Sequence, residues 1–422
     1  MGEAAATTEE AAIESGGGDS PSGSSIYTRD FWLVFAATFA LNCAGNLFLM
    51  FPLFVVKLGG GASAIGAILA TGSLAALLMR PLATTAIDRR GCRWTALWTV
   101  VIDIVVMTLY VPLHTLGWPI YAVRALHGAA EGTARVALFA LVYEILPRGR
   151  QGEAMATFSL CGMVPGAFGA LMGEAIMRAF GFHAFFCAAA ILCAIAALAV
   201  TMLPSDRPRR VPPGVSQTPA EAGPGHWRLI KESPLLMFWI VSLLFALTNA
   251  ARSSFVAPFA YERGIHSVGW YFTIYAAVAV LVRLSGRMLD RVGLERTLAP
   301  SFFILSIGIA LIAGAGHLGI LETAAVLGGL GHGFAYPVLS ALIIRHTAEG
   351  GTARSSTIYT SLWDIGNMAG PYLLGLLAHH EGYAPMFLVA GALSMIAAIY
   401  VGAGLSGALA RESRAASPSP PT

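Results

Sequence analysis

Charge is scarce in this sequence. Of its 422 residues only 12% are Asp, Glu, Lys or Arg, against 56% that are hydrophobic, whereas soluble domains carry about a quarter charged residues. So few charges cannot cover a globular surface in water, which excludes an ordinary soluble domain. Lysine is nearly missing: Lys57 and Lys231 are the only two. The five cysteines, Cys43, Cys92, Cys161, Cys187 and Cys193, form no CxxC pair and no Cys/His cluster, so neither a disulfide framework nor a zinc site is expected. No phosphate-cradling glycine loop, HExxH or GxSxG is present, which leaves no ATP drive, metal or cofactor to expect. No polar stretch is long enough for a catalytic domain, so the chain is not read as an enzyme. Residues 1–29 lack the charged start and apolar run of a signal peptide, and read as a polar, disordered tail.

What the sequence does hold is apolar runs of membrane length. A spanning helix needs roughly 20 mostly apolar residues. Such runs recur at 31–56, 64–86, 94–113, 117–144, 154–180, 183–203, 234–259, 267–288, 297–315, 320–345, 355–379 and 383–408. The pattern predicts an all-α polytopic membrane protein with twelve transmembrane helices, monomeric in the lipid bilayer. The longest polar break holds Arg207, Arg209, Arg210 and Arg228 among several prolines and reads as a flexible linker, too short to bind nucleic acid. The chain therefore divides into a tail (1–29), a six-helix bundle (30–203), a linker (204–232), a second six-helix bundle (233–408) and a tail (409–422).

Arginine placement gives the orientation. With an even number of spans both tails share one side. On that side fall Arg29, Arg89, Arg90, Arg93, Arg148, Arg150, the linker arginines, Arg287, Arg291, Arg296, Arg345, Arg354, Arg411 and Arg414, while the opposite loops hold little beyond Lys57, Arg178 and Arg263. Cytoplasmic loops carry the excess of basic residues, so the tails and linker are expected to be cytoplasmic and the chain to sit in the cell membrane.

Charges inside the spans are few and costly, about 2.5–3.5 kcal/mol each on insertion scales. Span four carries four ionisable groups, Arg124, His127, Glu131 and Arg135, at spacings of three, four and four. Those spacings place them on one helix face, which must look onto a cavity or other helices. A carboxylate there could take a proton on one side and release it on the other, with His127 as relay; a static Arg–Glu–Arg network explains the same residues. Asp103 in span three is placed to pair with an arginine of span two or four. Asp364 and Asn367 share a face of span eleven, and His332 and Tyr336 one of span ten; each pair either lines a cavity or packs. Arg80 and Arg283 sit near helix ends and read as snorkelling to the surface.

Two basic loops repeat. Asp88-Arg89-Arg90-Gly91-Cys92-Arg93 follows span two, and Asp290-Arg291-Val292-Gly293-Leu294-Glu295-Arg296 follows span eight, 202 residues later; the same offset maps Ser159-Leu160 onto Ser361-Leu362 and Gly173 onto Gly375. A shared offset at distant places argues for duplicated halves in parallel orientation, a known transporter plan with its site near midplane. The loops resemble the Gly-x-x-x-Asp-Arg-x-Gly-x-Arg/Lys-Arg/Lys signature of the major facilitator superfamily. The first copy has Thr84 for the initial glycine, and the second keeps Gly286, Asp290, Arg291, Gly293 and Arg296 but has Glu295 at a usually basic position. Arg124 and Gly128 resemble the family's Arg-x-x-x-Gly signature in span four.

That resemblance implies a secondary transporter of a small organic solute working by alternating access. It implies that Asp88, Arg89, Gly91 and Arg93, with their second-half counterparts, latch the halves on the cytoplasmic face. It ties Arg124 to proton coupling; Glu131, His127 and Asp103 join it as candidates on the physical argument above alone. Spans one and seven line the cavity in such proteins, so Asn42, Asn46, Asn249 and Arg252 join Tyr336 and Asp364 as candidate substrate contacts. Arg252 suits an anionic or zwitterionic group. Gly162, Gly166, Gly366, Gly370 and Pro371 resemble a degraded exporter motif, which favours proton antiport and efflux over the alternatives, an uptake symporter or a transporter-like sensor or scaffold.

Overall fold

The computed structural model of the chain describes residues 27–146, 151–204, 235–284, 293–347 and 351–416. They are helical almost throughout, because a backbone in lipid must close its own hydrogen bonds. The first half comprises α1 (Arg29–Lys57), α2 (Ala62–Arg90), α3 (Cys92–Leu109) and α4 (Trp118–Ile145). A short helix, Gln151–Phe158, then leads into Leu160–Thr201, which breaks at Gly181, where φ is 79°. The part before the break is α5 and the part after it α6. The second half comprises α7 (Leu235–Glu262), α8 (Gly269–Leu284), α9 (Leu294–Ala313), α10 (Leu318–Arg345), α11 (Thr352–Glu381) and α12 (Tyr383–Ala416). Among the described residues eight helices are long and apolar enough to cross a membrane by length and composition, with the α5–α6 segment counted as one.

The duplication is visible in the backbone. The positive-φ glycines among the described residues are Gly59, Gly91, Gly181, Gly264, Gly293 and Gly382. They fall as three pairs at equivalent turns: after α1 and α7, after α2 and α8, and after α5 and α11. A left-handed backbone is cheap only for glycine, so these turns fix the same chain reversals in both halves. Packing repeats as well. In the first half α1 lies on α5, α2 on α4, and α3 on α4 and α6; in the second α7 lies on α11, α8 on α10, and α9 on α10 and α12.

The halves meet along two equivalent seams, α2 against α11 and α5 against α8. Both seams are tightest at the end away from the arginine-rich loops. A Cβ on Gly66 would fall 2.1 Å from the Pro371 carbonyl oxygen, and one on Gly269 would fall 2.7 Å from the Leu171 Cα. Small residues let helix backbones approach in lipid, where dispersion and hydrogen bonds replace hydrophobic drive. Glu174 of α5 reinforces the second seam. It is buried and accepts hydrogen bonds from the Val268 and Gly269 N–H groups (3.1 and 2.6 Å) and from the Tyr261 hydroxyl (2.9 Å). The carboxylate thereby caps the start of α8, where helix N–H groups lack partners of their own. Beside it, Arg178 donates to the His266 carbonyl at 2.6 Å.

Candidate functional site

The α4 stripe folds into one connected cluster. Arg124 lies over the rings of Phe51 (5.5 Å) and Phe48 (5.9 Å). It has room because α2 presents Gly72, whose Cβ would sit 2.7 Å from Arg124 Nε. Arg124 Nη1 is 2.9 Å from His127 Nδ1, and the Tyr110 hydroxyl is 3.3 Å from the same nitrogen. Arginine can only donate, so Nδ1 accepts and the imidazole is held neutral with its proton on Nε2. That face looks toward Glu131 Oε2 at 3.8 Å. Glu131 forms an ion pair with Arg135 one turn on, and is 19% exposed against 61% for Arg135. The pair therefore grades from a dry interior at His127, 2% exposed, to an accessible mouth.

Glu131 and Arg135 open onto a cavity of about 480 Å³ between the halves. The first half lines it also with Arg80 and Arg124, the second with Asn249, Ser253, Trp363, Asp364 and Asn367. Arg80 and Asp364 form an ion pair across this space. Arg80, read from its position as snorkelling to the surface, is here paired with an acid of the facing helix while its side chain stays 41% exposed. A larger hollow of about 830 Å³ lies at the opposite end, lined by helix ends and turns that include Lys57, Gly60, Gly181, Phe182 and Glu262. Its charged lining is Lys57 and Glu262, against Arg80, Arg124, Glu131, Arg135 and Asp364 in the central cavity, which is the better site.

The other expected residues are placed as follows. Asp103 is 1% exposed and neither carboxylate oxygen has a hydrogen-bond partner, so the expected pair with an arginine of α2 or α4 is not formed; those arginines are engaged by His127, Glu131 and Asp364. Asn42 and Asn46 donate to backbone carbonyls of their own helix, Thr38 (2.9 Å) and Asn42 (2.8 Å), and Asn46 packs on Gly169; neither lines the cavity. Asn249 lines it and accepts from Arg252 Nη2 at 2.9 Å. Arg252 itself lies over Tyr275 at 4.2 Å. Tyr336 stacks parallel to His332 (6.2 Å) and meets Trp363 (5.7 Å).

Of the loop residues, Gly286, Asp290 and Arg291 lie outside the described residues. Gly91 and Gly293 have φ of 92° and 88° and start α3 and α9. Arg93 donates to the Val200 and Thr201 carbonyls (3.1 and 2.8 Å), closing the end of α6. Asp88, Arg89 and Arg296 are exposed. Glu295, the departure from the loop pattern, pairs with Arg345 at 3.5 Å. The bonds of Arg93 to α6 and the pairing of Glu295 with Arg345 each stay within one half.

Sequence profiles decide the family. That of the Major Facilitator Superfamily matches residues 33–282 and 253–421. The chain belongs to this superfamily. Similar proteins include the staphylopine export protein of Staphylococcus aureus (strain Mu50 / ATCC 700699), 22% identical over 368 residues, 85% of this chain and 91% of the relative. Another is the multidrug resistance protein MdtG of Serratia proteamaculans (strain 568), 23% identical over 391 residues, 89% of this chain and 93% of the relative. Among solved structures, the nucleoside transporter NupG superposes with a TM-score of 0.75 at 16% identity, over 90% of this chain and 99% of that one. A bacterial homologue of the human lysosomal transporter Spinster, inward-facing and unoccupied, gives 0.74 at 14% identity, over 90% and 97%. The protein is therefore a multi-pass membrane transporter of the superfamily fold, with relatives that bear efflux names. Its repeated helical halves and central cavity suit a superfamily member.

The sequence passed over three parts of the site. The partner of Arg80 was discoverable by charge counting, since Asp364 in a span demands a cation. Glu174 carries no sequence signal, because two of its three partners are backbone N–H groups and the third is a hydroxyl on another helix. The rings around Arg252 and His332 come from α7, α8, α10 and α11, and nothing local announces their meeting.

Proposed function

We propose that this chain is a proton-coupled exporter of a small organic solute, monomeric in the inner or plasma membrane, with both tails and the arginine-rich loops in the cytoplasm. The observation that carries the reading is the cavity between the halves, with Glu131 at its wall paired to Arg135 and a second ion pair, Arg80 with Asp364, across it. Carboxylates so placed exchange a proton for an arginine partner. A proton on Glu131 removes the charge that holds Arg135, and a proton on Asp364 releases the contact between halves. Either event changes the balance between conformations by the differential interaction it removes, which is all that a ligand or proton can do to such an equilibrium. The halves are joined by tight glycine contacts at the end away from the basic loops, so the cavity in this state belongs to the cytoplasmic side. Export rather than uptake is supported by the names of the relatives and by the glycine pattern of α5 and α11, whose Gly366 and Gly370 pack directly on Ala246 and Ala250.

The test is internal pH in proteoliposomes challenged with pooled metabolites and antimicrobials, wild type beside Glu131→Gln. Solute-dependent proton movement in the wild type, lost in the variant, is the expected result. Proton movement that survives the substitution removes Glu131 from the coupling and turns attention to Asp364 and Asp103. A folded wild type that moves no protons with any pool removes proton coupling altogether.

A further inference from the structure

The second half contains positive charge that the protein does not neutralise. Arg252 of α7 has a neutral partner, Asn249, and otherwise lies on the Tyr275 ring. Arg283 of α8 lies over the Tyr336 ring at 5.3 Å. Neither makes an ion pair with a described residue, and both Nε atoms are buried without a hydrogen-bond acceptor. Asp364, the acid of this half that lines the cavity, is taken by Arg80 from the other half. A buried charge left unpaired is costly, and intramembrane charges are by default functional.

The rings between these cations form a continuous run. Arg252 covers Tyr275, Tyr275 meets His332 at 5.6 Å, His332 stacks on Tyr336, and Tyr336 carries Arg283 on its face. Trp363 meets both His332 (6.4 Å) and Tyr336 (5.7 Å) and is also part of the cavity wall. Around this run the Tyr271 and Tyr359 hydroxyls and His332 Nδ1 are buried and unpartnered. Each of them can donate a hydrogen bond, as can the two guanidinium Nε–H groups. Donors without acceptors, cations without anions and flat rings with one edge at the cavity together describe a missing group. It is an anion with several acceptor oxygens, joined to a planar ring that stacks. Guanidinium groups match carboxylate and phosphate in a planar, two-pronged geometry.

We propose that the solute site lies in the second half behind the cavity wall at Trp363 and that it takes aromatic organic anions, aryl carboxylates in the simplest form, through Arg252, Arg283, His332, Tyr336 and Trp363, of which Trp363 lines the cavity itself. The ring enters beside Trp363 and Tyr336, and the carboxylate reaches the guanidinium groups. This rests on the transporter reading above but not on its proton coupling.

Binding to the purified full chain in lipid nanodiscs, without a proton gradient, tests it. The probes are 1-naphthoate, cyclohexanecarboxylate and 1-naphthylmethylammonium, read by saturable quenching of tryptophan fluorescence. Naphthoate is expected to bind more tightly than either of the others by about tenfold or more, the ratio that one lost interaction of ordinary strength produces. Arg252→Gln and Arg283→Gln are each expected to weaken naphthoate by a similar factor while the chain stays monodisperse. Because the wild-type ranking needs no variant, misfolding of a substituted chain leaves the test intact. Equal binding of cyclohexanecarboxylate overturns the ring requirement, and tighter binding of the ammonium probe overturns the anion requirement. Absence of saturable naphthoate binding up to about 10 mM, a dissociation constant too weak for a built site, overturns the proposal. Naphthoate bound but never coupled to proton flux leaves this site standing and removes the antiport reading; flux with other solutes and no naphthoate binding does the reverse.

Discussion

Replacing Glu174 with alanine should unlock the end of the protein away from the basic loops. Three hydrogen bonds converge on that one carboxylate, from Val268 N–H, Gly269 N–H and the Tyr261 hydroxyl, and they join α5 of one half to α7 and α8 of the other. Hydrogen bonds to a charged group contribute about 1.5–3 kcal/mol each. Three that share an acceptor do not add fully, so about 3 kcal/mol is a fair total. The bonds exist only while this end is closed. Once it opens, carboxylate and N–H groups both meet water, so the whole amount acts on the conformational equilibrium. At 25 °C about 3 kcal/mol is about 150-fold. A minor open state populated at about 0.1–10%, the usual range for such pairs, would rise to between about 13% and about 94%. The assay is electron–electron double resonance in nanodiscs, with spin labels at Lys57→Cys and Glu381→Cys, on the two halves at this end. The exposed Cys187 is first replaced by serine. A new longer-distance population is expected in Glu174→Ala, and a smaller one in Glu174→Gln, which keeps an acceptor oxygen but no charge. Distance distributions that superpose on the parent would show that the seam is held by backbone packing alone and that the carboxylate contributes nothing to closure.

Gly128→Ala should fail to pack, because its Cβ would lie 2.0 Å from the Gly72 carbonyl oxygen, backbone against backbone; a loss of at least about 1–3 kcal/mol is expected, read as a lowered melting temperature or loss of monodisperse protein. Arg80→Gln and Asp364→Asn, each partly exposed in the wild type, should show a coupling of about 1 kcal/mol in a double-mutant cycle of thermal stability, and additive effects would show the pair to be incidental. Arg93→Gln removes two charged donors from the last carbonyls of α6; about 1 kcal/mol of stability should go with them, whereas unchanged melting with altered transport would mean that the loop acts between halves in another conformation.

Apolar run length made the fold legible, since helices are the economical way for a chain to cross lipid, and the DRxG loops made the duplication legible. The positive φ of Gly91 and Gly293 explains why those glycines recur: each reverses the chain in the same way. The α4 stripe was readable too, because i, i+3 and i, i+4 spacing is a local property. Asp103 shows where such reading stops. Its burial depends on α3 meeting α4 and α6, and its lack of partner depends on Arg124 and Arg135 being engaged elsewhere. Both are tertiary facts. Asn42 and Asn46 were drawn to the cavity by analogy of span, yet their side-chain amides close onto their own helix, an option open to any asparagine one turn from a free lone pair.

The two halves share a backbone plan but not a chemistry, and the difference is informative. Conserving the turns and helix pairings in both halves keeps the α2–α11 and α5–α8 seams equivalent, so one half can tilt on the other without either seam being rebuilt. Nothing in that motion requires equal side chains. The first half gathers Glu131 and His127 with arginine partners, beside a buried and unpartnered Asp103, while the second gathers Arg252 and Arg283 with rings and no acid of their own. Arg80 and Asp364 exchange one charge of each sign across the boundary. Neutralising Asp364 would therefore leave Arg80 unpaired at the cavity wall, beside Arg124 and Arg135, and raise the cavity's attraction for an anion. If the first half binds the proton and the second the anion, as proposed above, the Arg80–Asp364 pair that belongs to both gives a physical route by which one cargo can influence the other across the cavity.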